Sequence, residues 1–109
     1  MTRAIAKTAG ITDSMIVEQL RWYAPERVIV FGSHARGEPA ADIDLIIIKE
    51  TAERFLDRLK AVYERWTLGV AVDMFVYTPG EWAQMVEEER GFAITATREG
   101  REIYVRPEG

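Results

Sequence analysis

Apolar positions fall into two kinds of segment along the chain, helical stripes and short unbroken runs, and their order predicts the elements. Ile16, Val17, Leu20 and Tyr23 lie on one side of a helix that starts near Asp13, a good N-cap, and stops at Pro25. Arg27 to Phe31 then carries the β-branched and aromatic run VIVF, which ends in Gly32-Ser33 and reads as a buried strand meeting a turn. Beyond a loop containing Gly37 and Pro39, Asp42 to Lys49 reads DIDLIIIK. That run is too apolar on both faces for an exposed sheet edge and predicts a central strand. Thr51 can cap a helix through about Trp66, with Phe55, Leu59, Val62 and Trp66 on one face and Leu56 and Tyr63 beside them. Gly69 to Tyr77, GVAVDMFVY, is a third strand pattern. Thr78-Pro79-Gly80-Glu81 supplies an N-cap, a Pro at the first helical position and a capping-box Glu. Helical character continues past Gly91 to about Arg98, Gly100 offers a stop, and Glu102 to Val105 gives a last short strand.

Too few residues separate Arg27–Phe31 from Asp42–Lys49 for a parallel crossover, so those strands are expected to pair antiparallel. The order predicts an α+β, two-layer fold: a mixed β-sheet with helices on one face. It is expected to form one domain over residues 1–109, with its core at about 13–105 and ragged ends at 1–10 and 106–109.

Composition narrows the function. A hydrophobic fraction of 48% is ample for one core. Lys and Arg number 14 against 18 Asp and Glu, and the net charge of −4 opposes strong stand-alone binding to a phosphate backbone. With no Cys, disulfides, thiolate metal sites and a Cys nucleophile are excluded. Met1 to Gly10 lacks the apolar stretch of a secretory signal, and no run approaches the ~20 residues that span a bilayer, so a cytoplasmic protein is expected. A sheet, its helices and one site would use nearly all of the chain, which makes a partner the expected holder of any macromolecular acceptor.

Asp42 and Asp44 stand at i and i+2 on a strand, so both side chains leave one face with Cα atoms roughly 6.5 to 7 Å apart. Like charges this close raise each other's pKa unless a cation compensates, and Mg²⁺ prefers such hard oxygen ligands. Alone, D-x-D at a strand's start is better explained by acids that face solvent or cap a turn. Asp73 interrupts the apolar run VAVDMFVY, where an isolated ionised carboxylate would cost several kcal/mol to desolvate. A shared metal, an Arg partner or a helix cap would each compensate it. Gly32-Ser33 follows a strand directly, where Gly permits a tight turn and close approach of main-chain N–H groups to a phosphate, and Ser33 adds a hydroxyl. Arg36 can offer paired donors to phosphate oxygens, and Gly37 permits a further bend.

Taken together, GSHARGEPAADIDL and VDMFVY resemble the nucleotidyltransferase superfamily of DNA polymerase β. The likeness is greatest to the minimal nucleotidyltransferases, small stand-alone proteins related to the MntA antitoxins and commonly paired with a HEPN-domain partner. The tail TREGREIYV also looks like the family's ending, and the resemblance spans about residues 13 to 105. It implies a polymerase β palm-like fold in which Asp42 and Asp44 hold two Mg²⁺ ions. Asp73 would bind the catalytic one and help draw the proton from an attacking hydroxyl. Gly32 and Ser33 would hold the triphosphate of a nucleotide, ATP by likeness, with Arg36 either touching it or bracing the loop. The product would be an NMP-modified hydroxyl, on a HEPN-type partner in a hetero-oligomer, with the chain as antitoxin. Two departures stand out. The loop HARGEPAA, eight residues, is shorter than usual in the family, and Ala41 occupies the place of a Ser often found before the first Asp. The shorter loop keeps a rival reading open, a catalytically silent subunit that binds nucleotide and neutralises its partner by complex formation. A structural acidic domain with no site would leave Asp73 unexplained.

Other conspicuous residues carry less. His34 reads as a solvent-facing loop residue, Trp22, Trp66 and Trp82 as helix core or interface, Met85 as core, and Glu87-Glu88-Glu89 as a solvated helix face.

Overall fold

The computed structural model describes residues 7–108. The ragged ends expected at 1–6 and 109 lie outside the described residues. At 7–10 the expectation is corrected: Thr8 is buried, and its N–H and hydroxyl both donate to the Ala40 carbonyl at 3.3 Å, tying this segment to the loop before Asp42.

The elements run α1 (Asp13–Leu20), a 3₁₀ turn (Arg21–Tyr23), β1 (Arg27–Phe31), α2 (Gly32–Ala35), β2 (Asp42–Ile48), α3 (Phe55–Glu64), β3 (Ala71–Tyr77), α4 (Pro79–Glu87), α5 (Gly91–Glu99) and β4 (Arg101–Val105). Thr12, not Asp13, caps α1, and Asp13 occupies the first turn, where its charge suits the helix dipole. Thr51 does not open α3. Its hydroxyl accepts from the Glu53 N–H instead, a local turn that delays the helix to Phe55. Glu89 at φ +52° breaks the chain between α4 and α5, so the weak helical signal past Gly91 belongs to a separate helix.

The strands form one mixed sheet in the order β3-β2-β1-β4. β1 pairs antiparallel with both β2 and β4, as the short β1–β2 connection requires, and β2 pairs parallel with β3 through the α3 crossover. The expectation of helices on one face is overturned. Val28, Val30, Ile43, Leu45, Ile47, Val72, Met74 and Val76 pack under α1 and α3, whose Ile16, Leu20 and Val62 close that core. Alternate residues Ile29, Phe31, Ile46 and Ile48 pack under α4 and α5 against Trp82, Met85, Ala93 and Ala96. The physical reason lies in β2, which is apolar on both faces and so needs cover on both. Trp82 and Met85 are core residues, as read from the sequence, and Glu87, Glu88 and Glu89 are exposed.

One buried cation staples the two layers around the β3 edge. Arg58 of α3 is only 6% exposed and donates to the Val76 carbonyl at 3.1 Å, to the Glu53 carbonyl at 2.9 Å and to Glu81 at 2.7 and 3.3 Å. Glu81 meanwhile closes the capping box of α4 with Thr78. Its carboxyl is held below the ordinary range by the Arg58 guanidinium and then by the Thr78 N–H. Replacing Arg58 with Met strands two carbonyls and a carboxylate. We expect a loss of about 2–4 kcal/mol, read as a lower midpoint in urea unfolding. A midpoint unchanged from wild type would show the staple to be idle.

Candidate active site

α4 and α5 cover only part of their face of the sheet. Asp42, Asp44 and Asp73 share that face parity with Ile46, Ile48 and Phe75, but they sit at the uncovered end of the strands. Parallel pairing sets Asp44 opposite Asp73, and antiparallel pairing sets Phe31 opposite Asp44. One oxygen of each carboxylate consequently lies within 4.8 Å of those of the other two. Among the described residues, no ion pair includes any of the three. Three uncompensated acids this close, with oxygen donors converging on one point, fit a hard divalent cation.

Asp44 shows the strain. Its carboxyl is pushed up to about 6, first by burial, then by the charges of Asp42 and Asp73 and a hydrogen bond with Asp73. The burial comes from its neighbours: Phe31 across the strand pair, itself packed edge-on against Phe92 with centroids 5.2 Å apart, and Gly32 above. Asp73 corrects the reasoning from sequence. It is exposed, because β3 is an outer strand and its face is open at Ala71 and Asp73, so the desolvation argument applies to Asp44 instead. The three acids do meet as expected.

Gly32 joins the turn after β1 to the carboxylates. Its φ is +75°, and a Cβ there would lie 2.3 Å from Asp44 Oδ2. Gly32-Ser33 is more than a turn: Gly32–Ala35 winds into one helical turn whose first N–H groups have no intrahelical partner. Phe31, at its N-cap, offers no side-chain acceptor. These donors and the Ser33 hydroxyl sit beside the acids, an arrangement suited to phosphate oxygens held next to a cation. Arg36 braces the loop: it donates to Glu38 at 3.0 and 3.2 Å, to Glu99 at 3.2 Å and to Ser33 Oγ at 3.3 Å. Sequence reasoning missed Glu38 and Glu99. Glu38 could have been found two residues from Arg36, but Glu99, on another helix, carries no local signal. His34, half-buried in α2, pairs with nothing among the described residues' ion pairs.

An apolar cavity of about 590 Å³ lies elsewhere, between α4, α5 and the sheet, lined by Ile29, Ile48, Trp82 and Val86 among others and by none of the three acids. A charged, well-hydrated phosphate ligand needs an open polar surface and not such a cavity. Among the described residues no helix is long and apolar enough to cross a membrane.

Comparison with known proteins agrees with this geometry. No curated protein matches the sequence. A crystal structure of a protein from Sulfolobus solfataricus, described there as a nucleotidyltransferase, matches with a TM-score of 0.57 and 22% identity over 89% of this chain and 79% of that one. That likeness establishes the fold, α+β with a mixed four-stranded sheet. The family model for a nucleotidyltransferase domain matches residues 14–107, from α1 through β4, and the chain belongs to that nucleotidyltransferase family.

Proposed function

We propose that the chain, acting as a single domain in the cytoplasm, transfers AMP from magnesium-bound ATP to a hydroxyl on a HEPN-type partner, as the antitoxin of a toxin–antitoxin pair. The observation that supports the transfer is the closeness of Gly32 to Asp44, which sets a helical turn without a side-chain cap directly beside three converging carboxylates. The partner and the antitoxin role rest on the sequence resemblance and on the acidic balance, which disfavours free nucleic acid as acceptor.

Asp42, Asp44 and Asp73 would hold the metal, which when bound would offset their charge and supply electrostatic stabilisation to an in-line displacement. Ser33 and the first-turn amides of α2 donate to the triphosphate. Arg36 donates to Ser33 Oγ, which leaves the hydroxyl proton free to point at a phosphate oxygen. Asp73, the exposed acid on the open edge strand, accepts the proton of the incoming hydroxyl, whose oxygen bonds to the α-phosphorus as pyrophosphate leaves.

Incubating the purified protein with α-labelled ATP, Mg²⁺ and a candidate HEPN partner tests this. Label should pass to the partner with wild type and fail to pass with Asp42→Ala and Asp73→Ala. Tight partner binding without any transfer would instead identify a silent binding subunit.

A further inference from the structure

The tail segment TREGREIYV has no part in the chemistry above, yet the charged residues on either side of Gly100 both reach the phosphate-accepting turn. Glu99, the last residue of α5, accepts from Arg36 Nη1 at 3.2 Å. Arg101, the first residue of β4, donates from Nε to the carbonyl of Ala35, the last residue of α2, at 3.2 Å. Arg101 also pairs with Asp13 at the start of α1. Gly100 sets the spacing. A Cβ there would lie 2.4 Å from the Ala96 carbonyl oxygen and 2.9 Å from that of Val30, so only glycine lets this junction lie so close to the end of β1.

A helical turn of four residues is far too short to hold itself together. α2 is gripped at its C-terminal end by two side chains of one junction, one through its last carbonyl and one through Arg36. Arg36 in turn reaches Ser33 Oγ, and its other partner, Glu38, lies on the same loop. Glu99 is therefore what ties Arg36 to a distant part of the fold.

We propose that Glu99 and Arg101 are positioning residues that hold the Gly32–Ala35 turn, through Arg36 and the Ala35 carbonyl, in the geometry that receives the donor's triphosphate. The proposal rests on the nucleotidyltransferase reading of the site. Exposed ion pairs add little to global stability, so the effect should appear in affinity rather than in the melting temperature.

The experiment is calorimetric titration with inorganic triphosphate in Mg²⁺, alongside thermal unfolding, for wild type, Glu99→Gln, Arg101→Gln, Arg36→Gln and the Arg36→Gln/Glu99→Gln double variant. Glu99→Gln and Arg101→Gln should each weaken binding about five- to tenfold with little change in melting temperature. Glu99→Asp should recover part of the loss, and the double variant should bind no more weakly than Arg36→Gln alone. Wild-type affinity in Glu99→Gln and Arg101→Gln, or a double-variant loss equal to the product of the single losses, would overturn the proposal. If wild type itself binds no triphosphate, the nucleotide reading fails separately and amide exchange at residues 33–37 decides the clamp. Faster exchange confined to that turn in Glu99→Gln and Arg101→Gln upholds it, and unchanged exchange refutes it.

Discussion

Asp44→Asn should abolish transfer and at the same time stabilise the metal-free protein at neutral pH. Loss of one anionic ligand from the cluster is expected to lower kcat by ~10²–10³-fold or more, since the charge compensation it supports is made mainly in the transition state. Stability moves the other way because the folded chain holds the Asp44 carboxyl near 6, above an ordinary 3.8. A group whose folded value is raised contributes stability that is complete below the unfolded value and is lost as pH rises through the folded one. At pH 7.5 the folded protein therefore carries a half-buried charge facing Asp42 and Asp73, and the isosteric amide removes it. Glu38, Glu81 and Glu88, whose carboxyls are held low by hydrogen bonds and ion pairs, respond to acid in the opposite sense. The difference between variant and wild type isolates Asp44. Asn should melt higher at pH 7.5, with the gap closing as pH falls through 6 towards 4, and Mg²⁺ should raise the melting temperature of wild type only. A gap constant across that range would refute the assignment of the raised carboxyl to Asp44.

Gly32→Ala is expected to damage both activity and fold. The backbone there is left-handed, which an L-residue adopts at a cost of about 1–2 kcal/mol, and the new methyl would overlap Asp44 Oδ2. Relief requires moving either the turn or the carboxylate by the better part of an ångström. Displacements of that size at reacting groups cost ~10²-fold in rate. Gly37→Ala is the matched control. Its φ of +74° carries the same conformational penalty, but nothing lies within 4 Å of the added Cβ. Denaturant unfolding should show a loss from backbone strain in both variants, with the overlap at Asp44 adding to it in Gly32→Ala, while steady-state kinetics should show the rate collapse in Gly32→Ala alone. Equal activity in the two variants would mean that contact between turn and carboxylate is dispensable.

Much of this architecture was legible in the residues. The runs VIVF, DIDLIIIK and AVDMFVY specified three strands because β-branched residues in short blocks have few other uses, and Thr78 with Glu81 marked the start of α4 to the residue. The i, i+2 spacing placed Asp42 and Asp44 on one face, and register alone then brought Asp73 beside them. Three features were not legible. Helix stripes report that a face is covered without saying which face of the sheet covers it, so the two-sided packing was missed although DIDLIIIK is apolar on both sides. An Asp within an apolar run reads as buried, but β3 lies at the sheet's edge, and strand order is a tertiary property. The partners of Arg36 include Glu99, 63 positions away, a separation no local pattern encodes.

The sheet order also bears on how the chain is made. β1 sits inside the sheet, but its second neighbour, β4, is made after every other described element, with Arg27 aligned to Val105. At ~5–20 residues per second, a ribosome leaves that flank of β1 unpaired for roughly 3–11 s after β2 has paired with the other flank. During that interval a hydrophobic strand next to the Gly32–Ala35 turn presents free amides and carbonyls to any passing chain, the condition that favours intermolecular pairing. Arg27, whose side chain in the finished fold pairs with Glu102 of β4, stands on that flank as a charged guard until its partner arrives.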